Sequence, residues 1–151
     1  MAVALVLWVG AALGACGGDD GGGRLSAEAF AARANETCTE LQDEVEATFA
    51  DLPPDGEPAL YQGVIKKLVP LVDGGADDLD ELQPPADIEA RFDEALAAMR
   101  AGNDKVREAS QSPEAAATIF ATDRDPYDDA NAIFDELGLT ECGSGGTDDA
   151  A

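Results

Sequence analysis

Between residues 30 and 52, apolar or small side chains return at intervals of three and four: Phe30, Ala34, Cys38, Leu41, Val45, Phe49 and Leu52. That spacing draws one stripe along an α-helix and does not fit the alternation of a half-buried strand. Ser26 stands where an N-cap oxygen is needed, and Leu25 before it is placed to pack on Phe30 across the cap. The run Leu52-Pro53-Pro54-Asp55-Gly56 stops the helix. A helix with one apolar stripe must bury it against a partner, and the rest of this chain offers more helices.

The second segment starts near Pro58 and carries Leu60, Val64, Leu68, Leu71, Val72, Leu79 and Leu82. Pro70 and the Gly74-Gly75 pair interrupt it, so a kink or a split is expected. Gln83-Pro84-Pro85-Ala86-Asp87 ends it, and a third segment follows with Ile88, Phe92, Leu96, Met99 and Val106 on one side. That helix frays at Ser110-Gln111. Ser112-Pro113-Glu114 then reads as a restart, with a capping hydroxyl, a proline at the first helical position and an acid at the positive helix end. The fourth segment holds Ile119 and Phe120, breaks near 123–126, and resumes through Tyr127, Ala130, Phe134 and Leu137. Gly138 suits a left-handed C-cap with Leu139 folding back beneath it. The expected fold is all-α: an antiparallel up-down four-helix bundle with helices 2 and 4 kinked or split.

At 151 residues the chain has room for one domain. Nine Lys and Arg against 32 Asp and Glu leave a formal net charge of -23, a field that repels a phosphate backbone and argues against nucleic acid as a partner. An anionic lipid surface is disfavoured for the same reason, so any membrane attachment has to be covalent or hydrophobic. The sequence contains no His, which removes the usual general base and the commonest transition-metal ligand. Hydrophobic residues make up 45%, but much of that is Ala and only 5% is aromatic, so a thin core is expected.

Residues 2–13 (AVALVLWVGAAL) form an uncharged apolar run, too short to span a bilayer and within the length of a signal-peptide h-region. Leu13-Gly14-Ala15-Cys16 follows, and then a Gly- and Asp-rich stretch. Together these residues resemble the lipobox region of bacterial lipoproteins. In that family the small residues admit the chain to a peptidase, the Cys thiol receives a diacylglyceryl group, and the chain is cut before it. The resemblance implies a signal peptide over 1–15, cleavage between Ala15 and Cys16, and lipidation of Cys16, with two acyl chains making a lasting anchor. Residues 1–10 hold no Lys or Arg, a departure from the family's basic n-region. Either the start lies farther upstream or the α-amine alone supplies that charge. A non-lipidated secretory signal and a buried N-terminal helix are the alternatives, and a core helix would not run straight into GGDDGGG. Residues 16–25 are read as the lipidated Cys and a flexible tether, with a reach of roughly 15 Å over 17–24. Residues 26–142 are read as the helical domain, and 143–151 as a disordered tail.

The wider layout also has a Cys in the first helix, Pro84-Pro85-Ala86-Asp87 in the middle, and Leu137-Gly138-Leu139 leading to Cys142. It is similar to a type of small lipoprotein common in actinobacteria, a likeness that implies the fold and no activity. With Cys16 acylated, Cys38 and Cys142 are the remaining cysteines, and an exported chain with two of them suggests one disulfide. The alternative, a reactive thiol, has neither a His nor a neighbouring Lys in sequence to make a thiolate. Cys38 lies about 18 Å along helix 1, and an extended run from Leu137 to Cys142 climbs about 17 Å to meet it.

Asp123, Asp125, Asp128 and Asp129 crowd one loop, and Asp73, Asp77, Asp78, Asp80 and Glu81 another. A calcium hand begun at Asp125 puts Glu136 twelfth but Tyr127 third and Ala130 sixth, and one begun at Asp51 puts Gly56 sixth but Gln62 twelfth. Both fail, and the clusters are read as a solvated face and helix N-terminal acids, with no metal and no cofactor expected. Asn35-Glu36-Thr37 matches a glycosylation sequon inside a helix and is read as chance, while Lys66 and Lys67 are placed at the edge of the helix 2 stripe. Without a base, a phosphate loop or a marked carboxylate cleft, the chain does not read as an enzyme. The leading expectation is a lipid-anchored module on the extracytoplasmic face of the cell membrane that docks a basic protein partner. The alternative is a small-ligand or lipid carrier with a pocket between helices 2 and 4. A solid core favours the first, and an apolar cavity of at least roughly 300 Å³ favours the second.

Overall fold

Two serines and a glycine set the main helix boundaries. In the computed structural model, which describes residues 23–50, 52–53, 56–119 and 125–143, the helices are α1 (Ala27–Phe49), α2 (Pro58–Asp80), α3 (Glu89–Ala109), α4 (Pro113–Thr118) and α5 (Asp128–Glu136). No strand occurs among the described residues. Ser26 Oγ caps α1 by accepting from the Ala29 amide at 3.3 Å, and Ser112 Oγ caps α4 by accepting from Ala115 at the same distance. Glu114 sits in the first turn of α4, where its own backbone amide and the Ser112 hydroxyl hold its carboxyl below the usual range. At the end of α5, Gly138 takes φ +74°, a conformation that costs a side chain energy and costs glycine none. The Leu139 amide then bonds the Phe134 carbonyl at 2.9 Å and the Gly138 amide bonds Asp135 at 3.0 Å, the double closure of a Schellman cap. Leu139 turns inward and is 1% exposed.

Of the kink or split expected in the second helix, the split does not occur. α2 runs unbroken for 23 residues with Pro70 inside it. Pro70 and Lys66 both lie on the exposed side, so the carbonyl that loses its amide partner faces water. Gly75, expected to interrupt the helix, is instead a contact point: a Cβ there would stand 2.6 Å from Leu41 Cδ2. The missing side chain lets α1 seat Leu41 against the α2 backbone. The fourth segment is in two pieces, α4 and α5, and residues 120–124 between them lie outside the described residues. α1 packs against α2; α2 packs against α3 and α4; α3 packs most extensively against α5.

Phe30, Phe92 and Phe134 tie α1, α3 and α5 at one end of the core. The first two meet edge to face at 4.9 Å between centroids, and the second pair is tilted at 6.3 Å. Leu25 packs against the same cluster. The preceding residue corrects the tether boundary. Arg24 was assigned to the flexible segment, yet its guanidinium grips both Glu89 carboxylate oxygens at 2.7 and 2.8 Å and the Pro84 carbonyl at 2.9 Å. The Leu25 amide adds a bond to the Gln83 carbonyl at 2.9 Å. A bidentate guanidinium–carboxylate pair with a backbone bond beside it fixes the entry of the chain, so the domain begins before Ser26. Residues 1–22, with Ala15 and Cys16, lie outside the described residues, as do 144–151. No described helix is long and apolar enough to cross a membrane.

Candidate functional site

Cys38 and Cys142 are joined as a disulfide with Cα atoms 5.0 Å apart, closing a separation of 104 residues. In the chain-entropy account a loop of that size contributes about 4–5 kcal/mol. The route to it differs from the extended climb that was expected. After Leu139 the chain folds into a turn, with the Cys142 and Gly143 amides both bonded to the Leu139 carbonyl at 3.0 Å. Because α5 is only nine residues long and ends in the Schellman cap, a turn suffices to bring Cys142 to α1. The same face of α1 holds the turn on both sides of the sulfur bridge. Asn35 Oδ1 accepts from the Glu141 amide at 3.2 Å, and Gln42 Nε2 donates to the Glu141 carbonyl. Asn35, the sequon asparagine, therefore has its side chain committed to the fold.

Past the disulfide the α1 stripe is less deeply buried. Phe30, Ala34 and Cys38 are buried, at 1%, 0% and 5% exposure, whereas Leu41, Val45 and Phe49 are only half-buried. α1 has its extended packing on α2 alone, and α5 packs on α3. Between them lies a cleft of about 380 Å³. Leu41, Val45 and Phe49 form its α1 wall, and Leu68, Val72 and Met99 of α2 and α3 form its floor. Ala130 and Phe134 of α5 supply the opposite wall, and the disulfide closes one end. This volume lies within the range of small-molecule pockets, and its lining is mostly apolar. The cleft lies beside α1, not between helices 2 and 4 as the breaks in those segments suggested. A second hollow of about 370 Å³ at the α2–α3 connection is lined by Arg24, Asp80, Gln83 and Glu89 and is polar in character.

Tyr127 stands in the cleft wall and is held from behind by a buried polar network. Its hydroxyl donates to Asn103 Oδ1 at 3.0 Å, and Asn103 Nδ2 donates to the Val69 carbonyl at 2.9 Å and to Asp73 Oδ1 at 2.8 Å. Asp73 in turn takes Arg107 at 2.9 and 2.7 Å. Asn103 is 1% exposed and its amide group has a partner for both donors and for its oxygen. Burial, followed by the Asp125 and Asp73 carboxylates, pushes the Tyr127 phenol well above the usual tyrosine range, so the hydroxyl keeps its proton and its bond. Asp73 had been read as part of a solvated acidic face, and Asn103 had drawn no notice. One signal was present: Asn103 falls in phase with Met99 and Val106, a polar side chain on an apolar stripe.

No family model, curated protein or solved structure matches this chain. The site is read from its own residues.

Asp125 and Glu141 are the carboxylates of the cleft lining. Asp125 is exposed, with Oδ1 accepting from the Tyr127 amide at 2.8 Å. Asp128 and Asp129 are exposed in the first turn of α5, and Asp123 lies outside the described residues. Among the described residues no group of three or more His, Cys, Asp or Glu is placed to hold a metal ion. What this arrangement offers chemically is burial. An apolar guest would cover Leu41, Val45 and Phe49 and gain about 25 cal/mol per Å² of apolar surface removed from water.

Proposed function

We propose that this chain is a membrane-tethered carrier that holds a small, largely apolar molecule in the cleft between α1 and α5. The observation that supports it is the cleft itself: about 380 Å³ of apolar-lined space where a docking module would have a filled core. Of the two functions the sequence leaves standing, this favours the carrier over the module that docks a basic protein. The arrangement we infer is an antiparallel up-down bundle in which α4 and α5 share the place of a fourth helix. Its supports are the packing of α4 on α2 and of α5 on α3. The anchor we infer is a diacylated Cys16, exposed by cleavage after Ala15, with the domain on the extracytoplasmic face of the cell membrane. With Arg24 fixed to Glu89, the leash between lipid and domain shortens to the seven residues 17–23.

The test is extraction of the native protein. Protein purified from membranes in mild detergent, extracted into organic solvent and analysed by mass spectrometry, should yield one class of apolar molecule in near-equal amount to the protein. A Val45→Trp variant, whose indole occupies the cleft, should yield none. Equal recovery from both proteins, or none from either, would overturn the carrier reading.

A further inference from the structure

The charges of the cleft say which head group its guest carries. We propose that the cleft selects amphiphiles whose apolar body ends in a positively charged group, an inference that rests on the carrier reading above.

Four arginines of the domain are matched to acids. Arg24 pairs with Glu89, Arg91 with Glu94 and Glu136, Arg100 with Asp77 and Asp80, and Arg107 with Asp73 and Asp104. The two acids of the cleft lining, Asp125 and Glu141, take no Arg or Lys among the described residues. Nor does any Lys or Arg appear among the described residues that line the cleft. Glu141 is held through its backbone by Asn35 and Gln42 at the end of the cleft near the disulfide. A carboxylate or phosphate head would meet two like charges there, within a protein of net charge -23. A cationic head meets the opposite. Phe49, Tyr127 and Phe134 supply aromatic carbon in the same lining, a surface that favours ammonium groups over anions. Apolar walls set the affinity, and the two carboxylates set the sign of the head.

Three probes share one chain and differ in the head: dodecyltrimethylammonium, dodecanol and dodecanoate, each titrated calorimetrically into the full protein, the ionic pair below their micelle concentrations and the alcohol below its solubility limit. The expected order of affinity is cation, then alcohol, then carboxylate. Asp125→Asn with Glu141→Gln should weaken the cation about fivefold, the worth of roughly 1 kcal/mol of charge interaction, and leave the alcohol unchanged. A control pair at the exposed end of α2, Asp78→Asn within it with Glu81→Gln just past it, should leave all three affinities as they were. Dodecanoate binding as tightly as dodecanol would overturn the head-group selection while leaving the carrier reading intact. So would an equal loss of cation affinity in both double variants. Failure of all three probes to bind would overturn the carrier reading and this inference together.

Discussion

The two halves of α1 carry the same apolar stripe and end in different surroundings. Phe30, Ala34 and Cys38 are buried, with the Phe92 ring of α3 against Phe30 and the disulfide at Cys38, while Leu41, Val45 and Phe49 line a cleft. The spacing that makes a residue face inward does not determine whether a neighbour fills the space it faces. Here the filling stops where the C-terminal turn stops. α5 is short, its cap sends the chain across to Cys38, and no described helix covers the remaining stretch of α1.

Deleting a ring that packs on the closed half of α1 and deleting one in its open half should have unequal effects. Phe92→Ala removes a ring packed between Phe30 and Phe134 and should destabilise the domain by about 3–5 kcal/mol. Phe49→Ala, at the half-buried end, should cost well under half of that. Chemical denaturation of both variants with the disulfide intact measures the two values, and similar losses would erase the distinction between the halves. A smaller effect sharpens the same comparison at the cleft wall. Asn103→Ala takes one bond from Asp73 and one from the Val69 carbonyl, leaves the Tyr127 hydroxyl without its acceptor, and should cost roughly 1–3 kcal/mol. Removing the anchor of Tyr127 should also weaken binding in the cleft. A change within a few tenths of a kcal/mol would show that the network does not hold the wall. The exposed pairs of Arg91 and Arg100 are screened by solvent and do not enter the comparison.

Local chemistry was legible in the sequence because its causes are local. Ser26, Ser112 and Gly138 mark helix ends through groups within a few residues of themselves, and the structure uses each as the sequence suggested. The continuity of α2 was not legible. Whether Pro70 breaks a helix depends on which way its orphan carbonyl faces, and whether Gly75 weakens one depends on Leu41 of another element. The disulfide partners were legible by number, but their route was not, since the length of α5 decides it. The cleft was least legible of all. Periodicity places Val45 and Phe49 on an inward face, and only the tertiary packing reveals that α5 does not reach them. Asn103 gave a usable sign, a polar side chain in phase with the apolar stripe, whose partner Asp73 looked in sequence like one more surface acid.

The central claim is that a guest enters the open half and leaves the closed half untouched. Methyl NMR during a titration with dodecanol addresses it most directly. The account predicts that methyls of Leu41, Val45, Leu68, Val72 and Met99 shift along one saturable isotherm, while those of Ile65, Leu79, Leu96 and Val106 hold still. Shifts spread evenly over both sets, or none in the first set at saturating dodecanol, would contradict it.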